Sequence, residues 1–381
     1  MKKKIAFFTE NLYGGGVEKI QQIILRNFDY EKYDITLYSN RKETLIKDLY
    51  SSPIRYKYIF EDCTQKRLSV SWKKINNKIK LWIYYHCTPK FFYQLFIRKK
   101  YDIAIAFIEG YATRFVSGMP KSTKKIAWVH TDMLNHHWTD IAYKNTNEEI
   151  NTYLKYDKIV CVSKVIKNVM NQFYQVSDKT TIILNPIEKK RIIQLSKEIL
   201  LNDNKNPQKK RLITLGSLID IKGYDRLLRI GKRLSDEGIK YELLILGKGK
   251  NRDLLIKYIK TNKLEDNIHL IGYVNNPYPY IAQSDIYICS SYAEGYNTAI
   301  TEALVLGKAV VSTECSGVKE QLGENNEYGI CTPNTEEGLY EGIKQMLNES
   351  TLKYYTQKAQ ERGKDFTLEA SMNKIYQLIE S

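Results

Sequence analysis

The stretch DIYICSSYAEGYNTAITEALVLGKAVVST, residues 285–313, decides how the chain is read. It opens with DIYICSS, a run of apolar, β-branched and aromatic residues that reads as a buried strand, and it closes with a second such run, KAVVST. Between them NTAITEALVLG is apolar at helical spacing and stops at Gly307. Strand, turn, helix, strand is the repeating unit of a parallel sheet wound with helices. Residues Gly295 to Thr298 supply the turn, with Asn297 or Thr298 as N-cap, so the helix start points free backbone N–H groups and a partial positive charge outward. Glu294 in the loop and Glu302 on the helix flank that anion site, roughly 10 Å apart by the usual rise per residue. An acid and base working on one bond would lie within roughly 5 to 9.5 Å. The wider spacing suits hydroxyls at two ends of a ligand with phosphates between them, which is the layout of a nucleotide-sugar. Two ordinary solvated acids near a helix start would give the same spacing.

The alternation recurs along the chain. KIAFFTE is followed by the loop NLYGGG and a helix from Val17; ITLYS, YDIAIAF, KKIAWVH and YDKIVCVS come next, and TTIILNPIE reads as a turn. The polar run NDNKNPQKKR from Asn202 reads as the link into a second domain built on RLITLGS, YELLILG, NIHLIGYV, DIYICSS and KAVVST. This pattern predicts an α/β protein of two parallel, doubly wound, Rossmann-like domains. Ligands of such sheets bind at the carboxyl ends of the strands. There GSLIDIKGYDRLL ends a strand at Gly216 and opens a helix at Lys222 and Gly223, where a lysine reaches a phosphate as a flexible point charge. LILGKGKNRD offers Gly247 and Gly249 but lacks the third glycine of a dinucleotide fingerprint. Gly14, Gly15 and Gly16 permit close backbone approach after the first strand.

At 381 residues the chain is long enough for two domains with separate cores. The six cysteines form no C-x-x-C pair, which argues against a zinc site or a disulfide framework. The apolar start MKKKIAFF ends at Thr9 and Glu10 and reads as a first strand, not a targeting segment. LWIYYHCTPKFFYQLFI is broken by His86, Pro89 and Lys90 and falls short of a membrane span. Residues 1–184 hold 31 basic against 17 acidic residues, so this half carries nearly all of the net charge of +16. From Cys63 to Tyr101 there are ten basic residues and no acidic one, interleaved with Trp72, Trp82, Phe91, Phe92 and Phe96. Such a run suits an anionic membrane surface, with rings at headgroup depth and lysines over phosphates. Single-stranded nucleic acid and a plain solvated basic helix pair are the other readings of the same run, and nucleic acid is not expected.

A Gly-rich loop after the first strand, a G…KG loop opening the second domain and an E-x7-E spacing after a late strand make the chain resemble the family 4 retaining glycosyltransferases of the GT-B fold. The resemblance covers nearly the whole chain. EGYNTAITEALVLGKAVVSTECSGVKEQL and NEYGI look like bacterial members that build capsular, exopolysaccharide or other surface glycans. It implies a metal-independent, cofactor-free hexosyltransferase that moves a hexose or N-acetylhexosamine from a UDP-sugar to a polyprenyl-diphosphate-linked or other glycan. Such an enzyme would work in the cytoplasm, peripherally bound to the inner face of the plasma membrane. The expected domains are residues 1–184 with 366–381 on the acceptor side and 185–365 on the donor side. Residue by residue, the resemblance implies that Glu294 faces the transferred sugar, that the amides of Gly295, Tyr296, Asn297, Thr298 and Ala299 take the diphosphate, and that Glu302 holds the ribose. Lys222 would neutralise the leaving diphosphate, helped by the amides of Gly15 and Gly16; Tyr273 and Val274 would meet the base, and His130 would lie near the donor sugar. The family's arginine after the second-domain glycine is here Ser217, and Lys248 is the candidate replacement. His130, Asp132, His136 and His137 could be taken for metal ligands, but the family's fold uses no metal. A GT-B epimerase of free nucleotide-sugar and a non-enzymatic nucleotide- or RNA-binding protein are the rival readings.

Overall fold

The structure, a computed structural model, describes residues 2–12, 15–42, 53–61, 69–200 and 205–381. Gly14, Lys66, Arg67 and the start of the polar run at Asn202 lie outside the described residues. The chain divides into two compact units, Met1–Asn185 with Ala370–Ser381, and Pro186–Glu369.

The first unit is a parallel sheet of β1 (Lys3–Thr9), β2 (Tyr33–Arg41), β3 (Arg55–Phe60), β4 (Ile103–Ala106), β5 (Lys124–Val129), β6 (Lys158–Cys161) and β7 (Thr180–Ile182), in the order β3-β2-β1-β4-β5-β6-β7. Ile5, Ala6, Phe7 and Phe8 are buried whichever face they point to. A strand covered on both faces has no polar side to alternate with, which is why IAFF is a continuous apolar run. Helix α1 (Gly16–Arg26) buries Ile20, Ile23 and Ile24, a stripe at helical spacing. Helix α2 (Ser69–His86) starts in the basic run. Two edge strands escape a reading by apolar runs: β3 alternates basic residues and tyrosines along RYKYIF, and β7 is three residues long. TTIILNPIE is therefore an edge strand first and a turn only afterwards.

The second unit holds β8 (Lys210–Leu215), β9 (Tyr241–Leu246), β10 (Ile268–Gly272), β11 (Ile286–Cys289), β12 (Ala309–Thr313) and β13 (Ile330–Thr332), in the order β10-β9-β8-β11-β12-β13. Leu212, Leu243, Ile286, Ile288 and Val311 enter one core, while Ile213, Leu244, Tyr287, Cys289 and Val310 enter the other. Successive residues thus supply opposite faces of one sheet. Ile187 and Ile192 also pack into the second of these cores. The polar run from Asn202, read as the link into the second domain, falls within the span Pro186–Glu369 of this unit. Helix α3 (Tyr224–Asp236) follows β8, and helix α4 (Thr298–Val305) follows β11. Strand order reverses between β8 and β11 here and between β1 and β4 in the first unit, the positions where parallel sheets open a ligand crevice.

Helix α5 (Leu368–Glu380) returns the chain end to the first unit. Tyr376 stacks on Tyr33 at 6.0 Å and donates to the Asn27 carbonyl at 3.1 Å, and Lys124 Nζ donates to the Leu378 carbonyl at 2.6 Å.

Candidate functional site

The loop between β11 and α4 is held from below by the turn before α3. Gly223 has φ +63°, and a Cβ there would meet the Ser290 carbonyl oxygen at 2.0 Å. Only glycine lets the turn press so closely against the end of β11. Ser290 Oγ donates to the Lys222 carbonyl at 2.8 Å, and the Tyr292 amide donates to the Ile221 carbonyl at 2.8 Å. Arg226, fully buried on α3, grips the same loop: Nε donates to the Ser290 carbonyl at 2.8 Å, and Nη2 to the Ser291 carbonyl at 2.6 Å and to Asn334 Oδ1 at 2.8 Å.

On this base Lys222, Ser291, Glu294 and Asn297 come together. Lys222 Nζ lies 2.7 Å from Glu294 Oε1, Ser291 Oγ donates to that oxygen at 2.6 Å, and Asn297 Nδ2 does so at 3.2 Å. Burial acts to lower the pKa of Lys222, and the Glu294 charge with its hydrogen bond outweighs it, so the net shift is upward. The ammonium is firmly charged. Asn297 is the N-cap of α4, its Oδ1 accepting from the Ala299 amide at 3.0 Å, while Gln321 Nε2 donates to the Asn297 carbonyl at 2.7 Å. Tyr296 points into the protein, 7% exposed, with its hydroxyl accepting from Thr301 at 3.3 Å, so it can offer a ligand its backbone amide. Glu302 is buried on α4, with Tyr278 Oη 3.5 Å from its Oε1.

The neighbouring strand ends complete the rim. Gly247 closes on Gly216, whose carbonyl oxygen a Cβ would meet at 1.9 Å, and the Leu218 amide, next to Ser217, donates to the Lys248 carbonyl at 2.9 Å. Lys248 Nζ sits 4.7 Å from the centre of the Tyr273 ring, and Val274 packs against the core beneath. Lys248 and Tyr273 thus form one cation–π pair beside the Ser217 loop.

The remaining expected residues belong to the first unit. Gly15 caps α1, and Gly16 is its first residue. The Glu18 carboxyl folds back to accept from the amides of Gly15 and Glu18, and burial outweighs these bonds and raises its pKa. His130, at the end of β5, is 6% exposed, and burial lowers its pKa to about 3. Its ring donates to the Phe107 carbonyl, leaving a neutral imidazole. His137 is committed to Glu149 at 2.8 Å and Asp140 at 3.1 Å, and Asp132 accepts from the Leu134 amide at 3.1 Å.

Sequence reasoning missed Arg226, Asn334 and Gln321, and in the first unit Glu10 and Glu109. Burial raises the carboxyl of Glu109 to about 7 against three backbone hydrogen bonds that lower it, with the Glu10 charge adding to the rise; Glu10 is likewise raised by burial to about 7. A carboxyl whose folded pKa lies above its unfolded value of 4.5 subtracts stability as pH climbs from about 4.5 to 7. Glutamine at 109 mimics the neutral form at every pH. Glu109→Gln and wild type should therefore be about equally stable near pH 4, with the variant ahead by about 3 kcal/mol at pH 8. Denaturant melts at the two pH values measure this, and an unchanged difference between them would contradict it.

The chain is similar to known proteins. The sequence profile of the family "Glycosyl transferases group 1" matches residues 196–364. The Campylobacter jejuni enzyme N-acetylgalactosamine-N,N'-diacetylbacillosaminyl-diphospho-undecaprenol 4-alpha-N-acetylgalactosaminyltransferase is 32% identical over 233 residues, which is 58% of this chain and 61% of that one. This chain thus spans less than two thirds of that relative's length. HepE of Anabaena, crystallised with UDP and glucose, has a TM-score of 0.75 over 99% of both chains at 14% identity. A Rickettsia africae glycosyltransferase has a TM-score of 0.70 over 99% of this chain and 97% of its own at 18% identity. Residues 196–364 thus match the group 1 glycosyl transferase profile, and the fold is that of the GT-B structures.

Proposed function

We infer that the chain is a retaining, family 4 glycosyltransferase that moves a hexose or N-acetylhexosamine from a UDP-sugar to a lipid-linked glycan in surface-glycan synthesis. The observation that carries this reading is the Lys222–Glu294 pair at the start of α4. It sets a charged ammonium and a carboxylate beside a helix N-terminus, the set of groups that a sugar diphosphate needs. In this reading the amides from Gly295 to Ala299 take the diphosphate, Glu302 the ribose, and Tyr273 with Val274 the base. As the sugar–phosphate bond breaks, charge grows on the diphosphate, and Lys222 with the fixed amides stabilises it where it develops. The departing phosphate takes the proton of the acceptor hydroxyl, which attacks on the face the phosphate leaves. His130, neutral, offers its ring to the donor sugar. The relative's name, with its diphospho-undecaprenol acceptor, supports a lipid-linked substrate. A thermal-shift panel of nucleotide-sugars tests the donor: ligand at about 100 times its Kd stabilises by about 2.7 kcal/mol. No shift with any nucleotide-sugar would contradict the reading.

The same reading places the first unit on an anionic inner leaflet. No helix among the described residues is long and apolar enough to cross a membrane. On α2, however, Trp72, Ile75, Ile79 and Trp82 are all exposed, Trp72 by 77% and Trp82 by 59%. Their spacing of three, four and three residues puts them on one helical face. Lys74 and Lys78 are exposed on the same helix, whereas Lys80 turns back to donate to the Ile59 carbonyl at 2.7 Å. An apolar face flanked by cations is the pattern of a helix lying in the headgroup layer. Replacing Lys73, Lys74 and Lys78 by Gln should remove about 1 kcal/mol of surface attraction each. Flotation with anionic liposomes should fall accordingly and should fall with salt; equal recovery with neutral and anionic vesicles would contradict the membrane surface.

A further inference from the structure

At the carboxyl edge of the first sheet, four neighbouring strands end in buried hydrogen-bond acceptors. In sheet order these are Asn40 on β2, Glu10 after β1, Glu109 after β4 and His130 after β5. Asn40 Oδ1, Glu10 Oε1, Glu109 Oε2 and His130 Nε2 are all buried without a hydrogen-bond partner among the described residues. Glu109 is 0% exposed and His130 6%.

Each group is anchored on one side and open on the other. Glu109 Oε1 accepts from the amides of His130 at 2.5 Å and Thr131 at 2.6 Å, which leaves Oε2. Glu10 accepts from the Tyr111 amide and keeps Oε1. The His130 ring bonds the Phe107 carbonyl, which assigns the proton to Nδ1 and a lone pair to Nε2. Glu10 Oε1 and the ring atoms Cη2 and Cζ3 of Trp138 come within 3.4 Å of the same point, the place a Cβ of Gly110 would take. Gly110, at φ +81°, keeps that space clear, and Trp138 Nε1 is fixed by donating to Thr131 Oγ1 at 3.2 Å. The group lies at the point of strand reversal between β1 and β4.

Burying an acceptor without a donor costs roughly 1–3 kcal/mol, so several together specify a ligand rich in donors. Sugar hydroxyls supply donors, and an aromatic ring beside them covers the apolar face of a sugar. No group of three or more His, Cys, Asp or Glu among the described residues is arranged to hold a metal ion. A sugar carrying its own carboxylate or phosphate would bring a third negative charge against Glu10 and Glu109.

The geometry points to a binding site for an uncharged sugar ring at Glu10, Glu109, His130 and Trp138, flanked by Asn40, that discriminates against uronates and sugar phosphates. This rests on the transferase reading only for its source: the ring belongs either to the nucleotide-sugar or to the acceptor glycan. The two acids provide the selectivity and His130 and Trp138 the orientation.

Saturation-transfer NMR on the full chain at pH 8 tests it, with methyl glucoside, methyl N-acetylglucosaminide and methyl glucuronide as probes. The wild type should bind one of the neutral glycosides at least about tenfold more tightly than the glucuronide, the loss expected for one charged hydrogen bond reversed in sign. Glu10→Gln with Glu109→Gln should bring that ratio close to one, a change that a merely structural role would not produce. If the double variant does not fold, Glu10→Gln alone should lower the ratio at least threefold, by about half the free energy. Equal binding of the glucuronide by the wild type, no binding of any glycoside, or an unchanged ratio in the folded variant would overturn the site. Competition identifies the source: displacement by a UDP-sugar but not by UDP assigns the ring to the donor, and simultaneous binding assigns it to the acceptor. Failure of UDP itself to bind would count against the transferase reading and leave the glycoside result standing.

Discussion

Glu294→Gln should lower sugar transfer by about two to three orders of magnitude while UDP binds within about threefold of wild type. Glutamine keeps the shape, and its Oε1 still accepts from Ser291 and Asn297, which hold the wild-type oxygen at 2.6 and 3.2 Å. What it loses is the charge that faces Lys222 at 2.7 Å and, in the proposed complex, the sugar. The nucleotide is assigned to the amides and to Glu302, which the substitution leaves in place. Steady-state rates with UDP calorimetry separate the two effects. Equal losses of rate and of UDP affinity would refute the division of roles between the glutamates.

Lys222→Ala should lower kcat by about two to three orders of magnitude and KM much less, because the charge it meets grows as the leaving group departs. The ammonium is held ready by Glu294 and by the turn that Gly223 closes against Ser290. Lys222→Arg should recover only part of the rate, since a planar fork does not replace a compact point charge in a site formed by so close a turn. A variant with kcat unchanged and KM raised would make Lys222 a ground-state binding residue. The leaving-group role would then fall to Lys248, now stacked on Tyr273.

The long parallel strands were legible because burial on both faces makes their centres unbroken apolar runs; IAFF and LLIL are examples. The edges were not. β3 mixes lysine and arginine with tyrosine, β7 and β13 are three residues long, and such strands are specified by their neighbours more than by their own composition. At the candidate site Lys222, Glu294 and Asn297, which the structure brings together, are residues whose chemistry is local to a helix start. Arg226 reaches Ser290 across 64 positions and Asn334 across 108, and no window of sequence contains those partners. Glu10 and Glu109 are a different case. Each follows a strand directly or nearly so, and the rule that singled out the Glu294 loop applies to them as well. In the basic run composition singled out Trp72 and Trp82, but the stripe they form with Ile75 and Ile79, and its exposure, come from the fold.

Transfer itself is the most direct test of the account. The full chain, mixed with bacterial membranes carrying lipid-linked glycans and with a UDP-sugar labelled in the sugar, should release UDP while an equal amount of label moves into the lipid extract. Consumption of the UDP-sugar with all label left in the aqueous phase, or no consumption with any donor that binds, would contradict a glycosyltransferase.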